Sequence, residues 1–138
     1  VLEAEELGFD SAWCYDSPLL YHDPFVTLAR AAERTTRIGL GIGVLVPGLR
    51  TPVATAAGLR SLSALAPDRV VAAVGAGFTG RFTLGLGPVP LAALEREVQD
   101  LRALLAGDET AHVDGGRRRD REGVEGVEAI ATRSILGR

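Results

Sequence analysis

The fold is decided by Arg37-Ile38-Gly39-Leu40-Gly41-Ile42-Gly43-Val44-Leu45-Val46-Pro47, then a helical stretch at residues 51–66, then Arg69-Val70-Val71-Ala72-Ala73-Val74-Gly75-Ala76-Gly77-Phe78. Two apolar runs, each passing into glycines, are joined by a segment of helical spacing. A strand-helix-strand unit of this kind implies a parallel sheet, because a crossover is needed to return the second strand alongside the first. Ligands of such sheets collect beyond the C-terminal strand ends. Both Gly-rich stretches lie there, where backbone can approach a flat or charged molecule without side-chain obstruction.

In residues 38–46 large apolar groups alternate with glycine, so one face of the strand is nearly bare and something else must fill that space. Thr51-Pro52 reads as a helix cap followed by proline at the first helical position. Leu59, Leu62 and Leu65 form its packing stripe, and Pro67 closes it. Upstream, residues 9–15 have the aromatic and small-apolar character of a buried strand ending at Asp16-Ser17-Pro18, which puts Asp16 at a strand's C-terminal end. Asp23-Pro24 repeats the cap-plus-proline start, with Phe25, Leu28, Ala29 and Ala32 on one face and an expected end near Thr35-Thr36.

Residues 1–8 read as the last two turns of a helix stopped at Gly8. Residues 79–90 hold Gly80, Gly85, Gly87, Pro88 and Pro90 and are expected to form a long loop. Leu94, Val98, Leu101 and Leu105 then define an amphipathic helix stopping at Gly107. From residue 108 the character changes. The charged run at 115–123 is expected to be a solvated, mobile turn, with a weak helix over 124–135. Residues 1–107 are thus taken as one domain and 108–138 as a divergent charged tail.

The bulk properties bound the partners. A net charge of −3 and a pI near 5.4 offer no basic face for nucleic acid or an anionic membrane, so a small-molecule substrate is favoured. No apolar run reaches the roughly 18 residues of a spanning helix. The single cysteine, Cys14, has no internal disulfide partner and reads as an inert buried thiol, and no signal peptide is evident, so a cytoplasmic location is the default. Trp13 and Tyr15 are expected as core or barrel-lining residues. There is no methionine, even at position 1, so the chain is expected to begin inside an element.

Gly75-Ala76-Gly77-Phe78-Thr79-Gly80 matches the six-residue glycine pattern of dinucleotide-binding proteins, directly after a strand. That fingerprint needs a helix opening inside the motif, and Arg81-Phe82-Thr83-Leu84-Gly85 does not promise one. An open nucleotide-binding sheet would require a helix starting between Gly77 and Arg81. The alternation of strands and helices otherwise suits either an open doubly wound sheet or a (β/α)₈ barrel.

From Ala4 to Gly107 the chain resembles the N-terminal half of the luciferase-like flavin- or deazaflavin-dependent oxidoreductases, most specifically in "AEELGFDSAW..D", "RIGLGIGVLVP" and "APDRVVAAVGAGF", in that order. The resemblance implies an α/β fold, part of a (β/α)₈ TIM barrel covering roughly strands two to four. It implies a cofactor ring at the C-terminal strand ends, coenzyme F(420) first and FMN second, serving an oxidoreductase or monooxygenase.

Residue by residue, the resemblance places Gly43 and Val44 at a bulge with a non-prolyl cis peptide supporting one face of the ring. Asp16 and Ser17 fall beside the ring, with Ser17 standing where some deazaflavin-dependent dehydrogenases carry a catalytic histidine. Gly75, Gly77, Phe78 and Thr79 fall against its polar edge, Phe78 as a packing surface in place of an acidic residue of some relatives. His22, in the same loop as Asp16, is the candidate acid/base.

A barrel of this type takes about 250 residues. The chain alone is therefore expected to lack turnover and to need a homo-oligomer or a completing chain. A non-catalytic remnant or assembly module is the competing expectation.

Overall fold

The computed structural model describes residues 1–107, 110–119 and 125–132. In chain order the elements are α1 (Leu2–Glu6), β1 (Ser11–Cys14), α2 (Pro24–Ala32), β2 (Gly39–Leu45), α3 (Pro52–Leu65), β3 (Val70–Val74), α4 (Thr79–Phe82), α5 (Leu91–Ala106), β4 (Thr110–Arg119) and β5 (Glu125–Thr132). Strands β1, β2 and β3 form one parallel sheet in sequence order, with Trp13 opposite Gly41 and Gly41 opposite Val71. Strands β4 and β5 form a separate antiparallel pair.

Both cap-plus-proline starts form. The Asp23 carboxylate accepts from the backbone N–H of Phe25 (2.9 Å) and Val26 (3.2 Å), and the Thr51 hydroxyl accepts from Ala54 (3.2 Å). Helix α2 stops at Ala32, short of Thr35-Thr36, because its last carbonyls find other donors. The Thr35 hydroxyl donates to Ala31 (2.7 Å) and Arg69 donates to Ala32 (3.3 Å). Arg69 also donates to the carbonyl of Ile38 (3.3 Å), fastening α2 to the start of β2.

The core lies between the sheet and helices α2 and α3: Leu28, Ile38, Leu40, Ile42, Leu45, Leu59, Leu62 and Ala66 are buried together. In α3 the stripe continues to Ala66 and not to the expected Leu65, which is half exposed. Four residues complete the turn from Leu62 better than three do. The same adjustment occurs in α5, where Leu101 and Leu104 bury against Ala56 of α3 while Leu105 stays largely outside.

The opposite, glycine-bearing face of β2 is covered by Trp13. Its indole occupies the space a Cβ on Gly41 would need and would stand 2.9 Å from one on Gly43. Trp13 is nonetheless 49% exposed and Tyr15 57%, so neither is a buried core residue: this face of the sheet is open to water. Cys14 is half-buried against the core, and burial pushes its thiol pKa up.

Three further expectations need correction. The stretch at residues 79–90 is not simply a loop, for α4 makes one helical turn. Arg81 braces it, donating to the carbonyls of Gly87 (2.6 Å) and Pro47 (3.0 Å), and the Val89 N–H returns to Ala76 (2.9 Å). Helix α4 does start at Thr79, inside the Gly77–Arg81 window that an open nucleotide-binding sheet requires, but it is one four-residue turn, and among the described residues β1, β2 and β3 lie in sequence order with no switch point. The weak helix expected over 124–135 is replaced by β5, where Gly126 disfavours helix and Val127, Ile130 and Thr132 favour extended chain. Of the run read as a mobile turn, 115–119 belong to β4; residues 120–124 lie outside the described residues.

Candidate active site

A cleft of about 360 Å³ opens beyond the C-terminal ends of β1, β2 and β3. It is lined by Tyr15, Asp16, Ser17 and Tyr21 after β1, by Gly43, Val44 and Val46 of β2 and its end, and by Gly77, Phe78, Thr79 and Gly80 after β3. On the β2 side the Gly43-Val44 peptide is cis. Gly43 pairs with Ala73 and Leu45 with Val74, so Val44 is a bulge residue without a partner in the ladder. The wall opposite requires glycine. Gly77 has φ +66°, and a Cβ there would collide with Val46. A Cβ on Gly80 would stand 3.0 Å from the Asp16 carbonyl, which is how closely α4 approaches the loop after β1.

Asp16 and Ser17 are buried. The Arg50 Nη2 lies 3.3 Å from Asp16 Oδ1 and 2.7 Å from Asp23 Oδ2, and the guanidinium sits 5.1 Å from the Phe25 ring centroid. Asp16 Oδ2 and Arg50 Nε are buried without a hydrogen-bond partner. Burial pushes the Asp16 pKa above its ordinary value, opposed by the Arg50 charge and hydrogen bond, while the Asp23 charge adds to the rise. For Asp23, burial also pushes up, but the Val26 N–H, Arg50 and the Phe25 N–H together carry its pKa below the ordinary value.

A buried acceptor left unmade costs about 1–3 kcal/mol. A donor brought by a ligand, or protonation, relieves that cost at Asp16. Aromatic groups frame the same space: Tyr15 and Tyr21 meet at 4.7 Å between centroids, and Phe78 stacks on Phe82 at 5.9 Å with ring planes 9° apart. An open cleft at the strand ends, a carboxylate oxygen without a partner and flanking aromatics fit a tricyclic deazaflavin or flavin ring.

Of the residues singled out in the sequence, Asp16, Ser17, Gly43, Val44, Gly77, Phe78 and Thr79 come together here. Gly75 does not. Its N–H donates to the Leu45 carbonyl (3.0 Å), continuing the sheet, and it packs behind Val44. His22 is exposed and lines an adjoining cleft, with Asp16, Ser17 and Arg50, and is not among the residues lining the first. Sequence reading missed Arg50, Tyr15, Tyr21, Val46 and Gly80. The signal for Arg50 was its position just before the Thr51 cap, also beyond a strand's C-terminal end. Among the described residues no His, Cys, Asp and Glu cluster could hold a metal ion, and no helix is long and apolar enough to cross a membrane.

The chain is similar to the F(420)-dependent glucose-6-phosphate dehydrogenase of Intrasporangium calvum, 39% identical over 84 residues that cover 55% of this chain and 25% of that protein. It therefore spans about a quarter of the length of this curated relative. Its fold is similar to the coenzyme F(420)-dependent tetrahydromethanopterin reductase from Methanopyrus kandleri, with TM-score 0.66 and 26% identity over 75% of this chain and 34% of that one. It is also similar to an F(420)-dependent secondary alcohol dehydrogenase in complex with an F(420)-acetone adduct, with TM-score 0.66 and 26% identity over 83% of this chain and 38% of that one. These neighbours are TIM-barrel enzymes, and the parallel sheet with its helices is part of such a barrel. The family model for luciferase-like monooxygenase matches residues 1–123, and the chain belongs to that family.

Proposed function

We propose that this chain supplies the ring-binding portion of an oxidoreductase that transfers a hydride through coenzyme F(420), with FMN as the second choice, to or from a small-molecule substrate. The observation that carries the reading is that the Gly43-Val44 bulge, the Gly77–Thr79 turn and the buried Asp16 face one cleft at the C-terminal strand ends. The similarity to proteins named for F(420) favours the deazaflavin over FMN.

The cofactor, when bound, supplies the redox chemistry, and the protein supplies orientation and electrostatics. Val44 would support one face of the ring, the turn after β3 would meet its polar edge, and Asp16 would offer an acceptor. Ser17 carries no imidazole for acid/base work, and His22, the candidate acid/base, lines the adjoining cleft that shares Asp16, Ser17 and Tyr21 with this one.

By itself the chain binds the ring without turning over. Trp13, Val71 and Val44 leave the inner face of the sheet open, and hydride chemistry needs water excluded. A completing chain or second copy would close that face. The same open face favours a second reading, a non-catalytic module that keeps the packing and binds no cofactor. Titration of oxidised F(420) and FMN against the purified chain separates them: saturable fluorescence change, tighter for F(420), supports the first, and none for either cofactor leaves the second. Robust oxidation of reduced F(420) by the chain alone would overturn its dependence on completion.

A further inference from the structure

The cleft's one buried carboxylate is not held by its own loop alone. Asp23 Oδ1 takes the Phe25 and Val26 N–H groups at the start of α2, while its Oδ2 takes Arg50 Nη2 at 2.7 Å. The same nitrogen reaches Asp16 Oδ1 at 3.3 Å. A helix N-terminus, an aspartate, a guanidinium and a second aspartate thus form a continuous relay ending at the cleft.

We propose that Arg50 is the positioning residue of this site, tying the Asp16 carboxylate to the cap of α2 so that Oδ1 is occupied and Oδ2 is left as the acceptor for the ring. The proposal rests on the reading that Asp16 faces a bound deazaflavin or flavin.

Asp23 is fixed by α2 and so gives Arg50 a rigid anchor. One nitrogen makes both contacts, while Nε is buried without a partner. What the site uses is a single cationic donor, not the two-pronged fork for which arginine is otherwise preferred. The titratable or charged groups around Asp16 are Arg50 from the loop after β2, Asp23 at the cap, and Tyr15, Tyr21 and His22 from β1 and its loop. From the α4 side the contact is backbone, at Gly80, and Arg81 is engaged by the carbonyls of Gly87 and Pro47. Burial works against the Asp16 charge and Arg50 works for it. Without Arg50, burial and the Asp23 charge act unopposed.

The test is carbon-13 NMR of the aspartate carboxyls through an acid titration of the cofactor-free chain, with Asp16 assigned by loss of its signal in Asp16→Asn. In Arg50→Gln the Asp16 midpoint should rise by about one pH unit or more, and in Arg50→Lys it should stay near the wild-type value. An unmoved midpoint in Arg50→Gln overturns the proposal. Should that variant fail to fold, Asp23→Asn retains a cap but takes the charged anchor from Arg50, and F(420) binding should weaken in it as in Arg50→Gln; unchanged binding in Asp23→Asn overturns the proposal equally.

The second arm is F(420) fluorescence titration, in which Arg50→Gln should weaken binding about tenfold, ~1.4 kcal/mol, with recovery in Arg50→Lys. Wild-type binding unchanged in Arg50→Gln overturns the positioning role. Absence of wild-type binding instead overturns the cofactor reading, and the NMR result stands apart from it.

Discussion

The indole of Trp13 fills the space above Gly41, its partner across the β1-β2 ladder, so closely that a Cβ on Gly41 would collide with the ring. The alternation of glycine with large residues in β2 is thereby explained: Leu40 and Ile42 are buried in the core, and Gly41 and Gly43 make room for one aromatic on the other face. Gly41→Ala should destabilise the chain by about 1–3 kcal/mol, as overpacking does. The emission of the chain's single tryptophan should change with it. In Trp13→Ala the same glycine substitution should cost much less. Equal costs in both backgrounds would mean that the indole and Gly41 are not coupled.

Gly77 is the second place where a methyl group is refused, for two separate reasons. Its φ of +66° disfavours any side chain, by about 1–2 kcal/mol, and Val46 already occupies the Cβ position. Gly77→Ala should lower the chemical-denaturation midpoint and weaken F(420) binding. Gly85, also at positive φ but with no atom near its Cβ position, should show the smaller stability loss and unchanged binding when replaced by alanine.

Asp16 should show a conflict between stability and binding. Its pKa is raised by burial despite Arg50, so folding shifts the balance toward the neutral acid relative to the unfolded chain. The stability it contributes is full below the ordinary value of 3.8 and is lost as pH rises through the higher folded value. Asp16→Asn should therefore leave stability at neutral pH unchanged or raise it by about 1 kcal/mol, while weakening F(420) binding. A clear loss of stability at neutral pH would show that the ion pair with Arg50 outweighs burial.

Asp23 and Glu5 have the opposite sign. Glu5 Oε1 accepts from the backbone N–H of Ile38, Arg37 and Thr36 at the start of β2, and these bonds, Ile38 first, lower its pKa from 4.5. Asp23 is lowered from 3.8. Both contributions are present above those ordinary values and are lost as pH falls through the lower folded ones. Denaturant titrations should show stability falling through that acid window and a shallower fall in Glu5→Gln. Asp23→Ala should cost about 1 kcal/mol at neutral pH through the lost cap.

Much of the fold was legible in local chemistry. The two Asp/Thr-Pro caps, the bare face of β2 and the strand ends carrying Asp16 and Gly77 depend on neighbours in sequence, and the resemblance located the cis bond at Gly43-Val44. What escaped depended on distant contacts. Arg50 meets Asp16 across 34 positions, and Arg81 organises the turn of α4 through Pro47, 34 positions away. The resemblance puts Gly75 at the ring edge with the rest of the turn after β3, yet its N–H belongs to the sheet. Leu65 and Leu105 were misassigned because a stripe read in steps of three and four has two candidates in its last turn, and packing against the neighbouring element selects between them.

The most direct test of the ring-binding cleft is fluorescence titration of oxidised F(420) with the purified chain, its Asp16→Asn and Gly77→Ala variants, and Leu91→Ala at an exposed site remote from the cleft. Saturable binding of one F(420) per chain, weakened about tenfold, ~1.4 kcal/mol, by the two cleft substitutions and untouched by Leu91→Ala, is the predicted result. A folded chain that binds no F(420), or binds it equally well in all four forms, would contradict it.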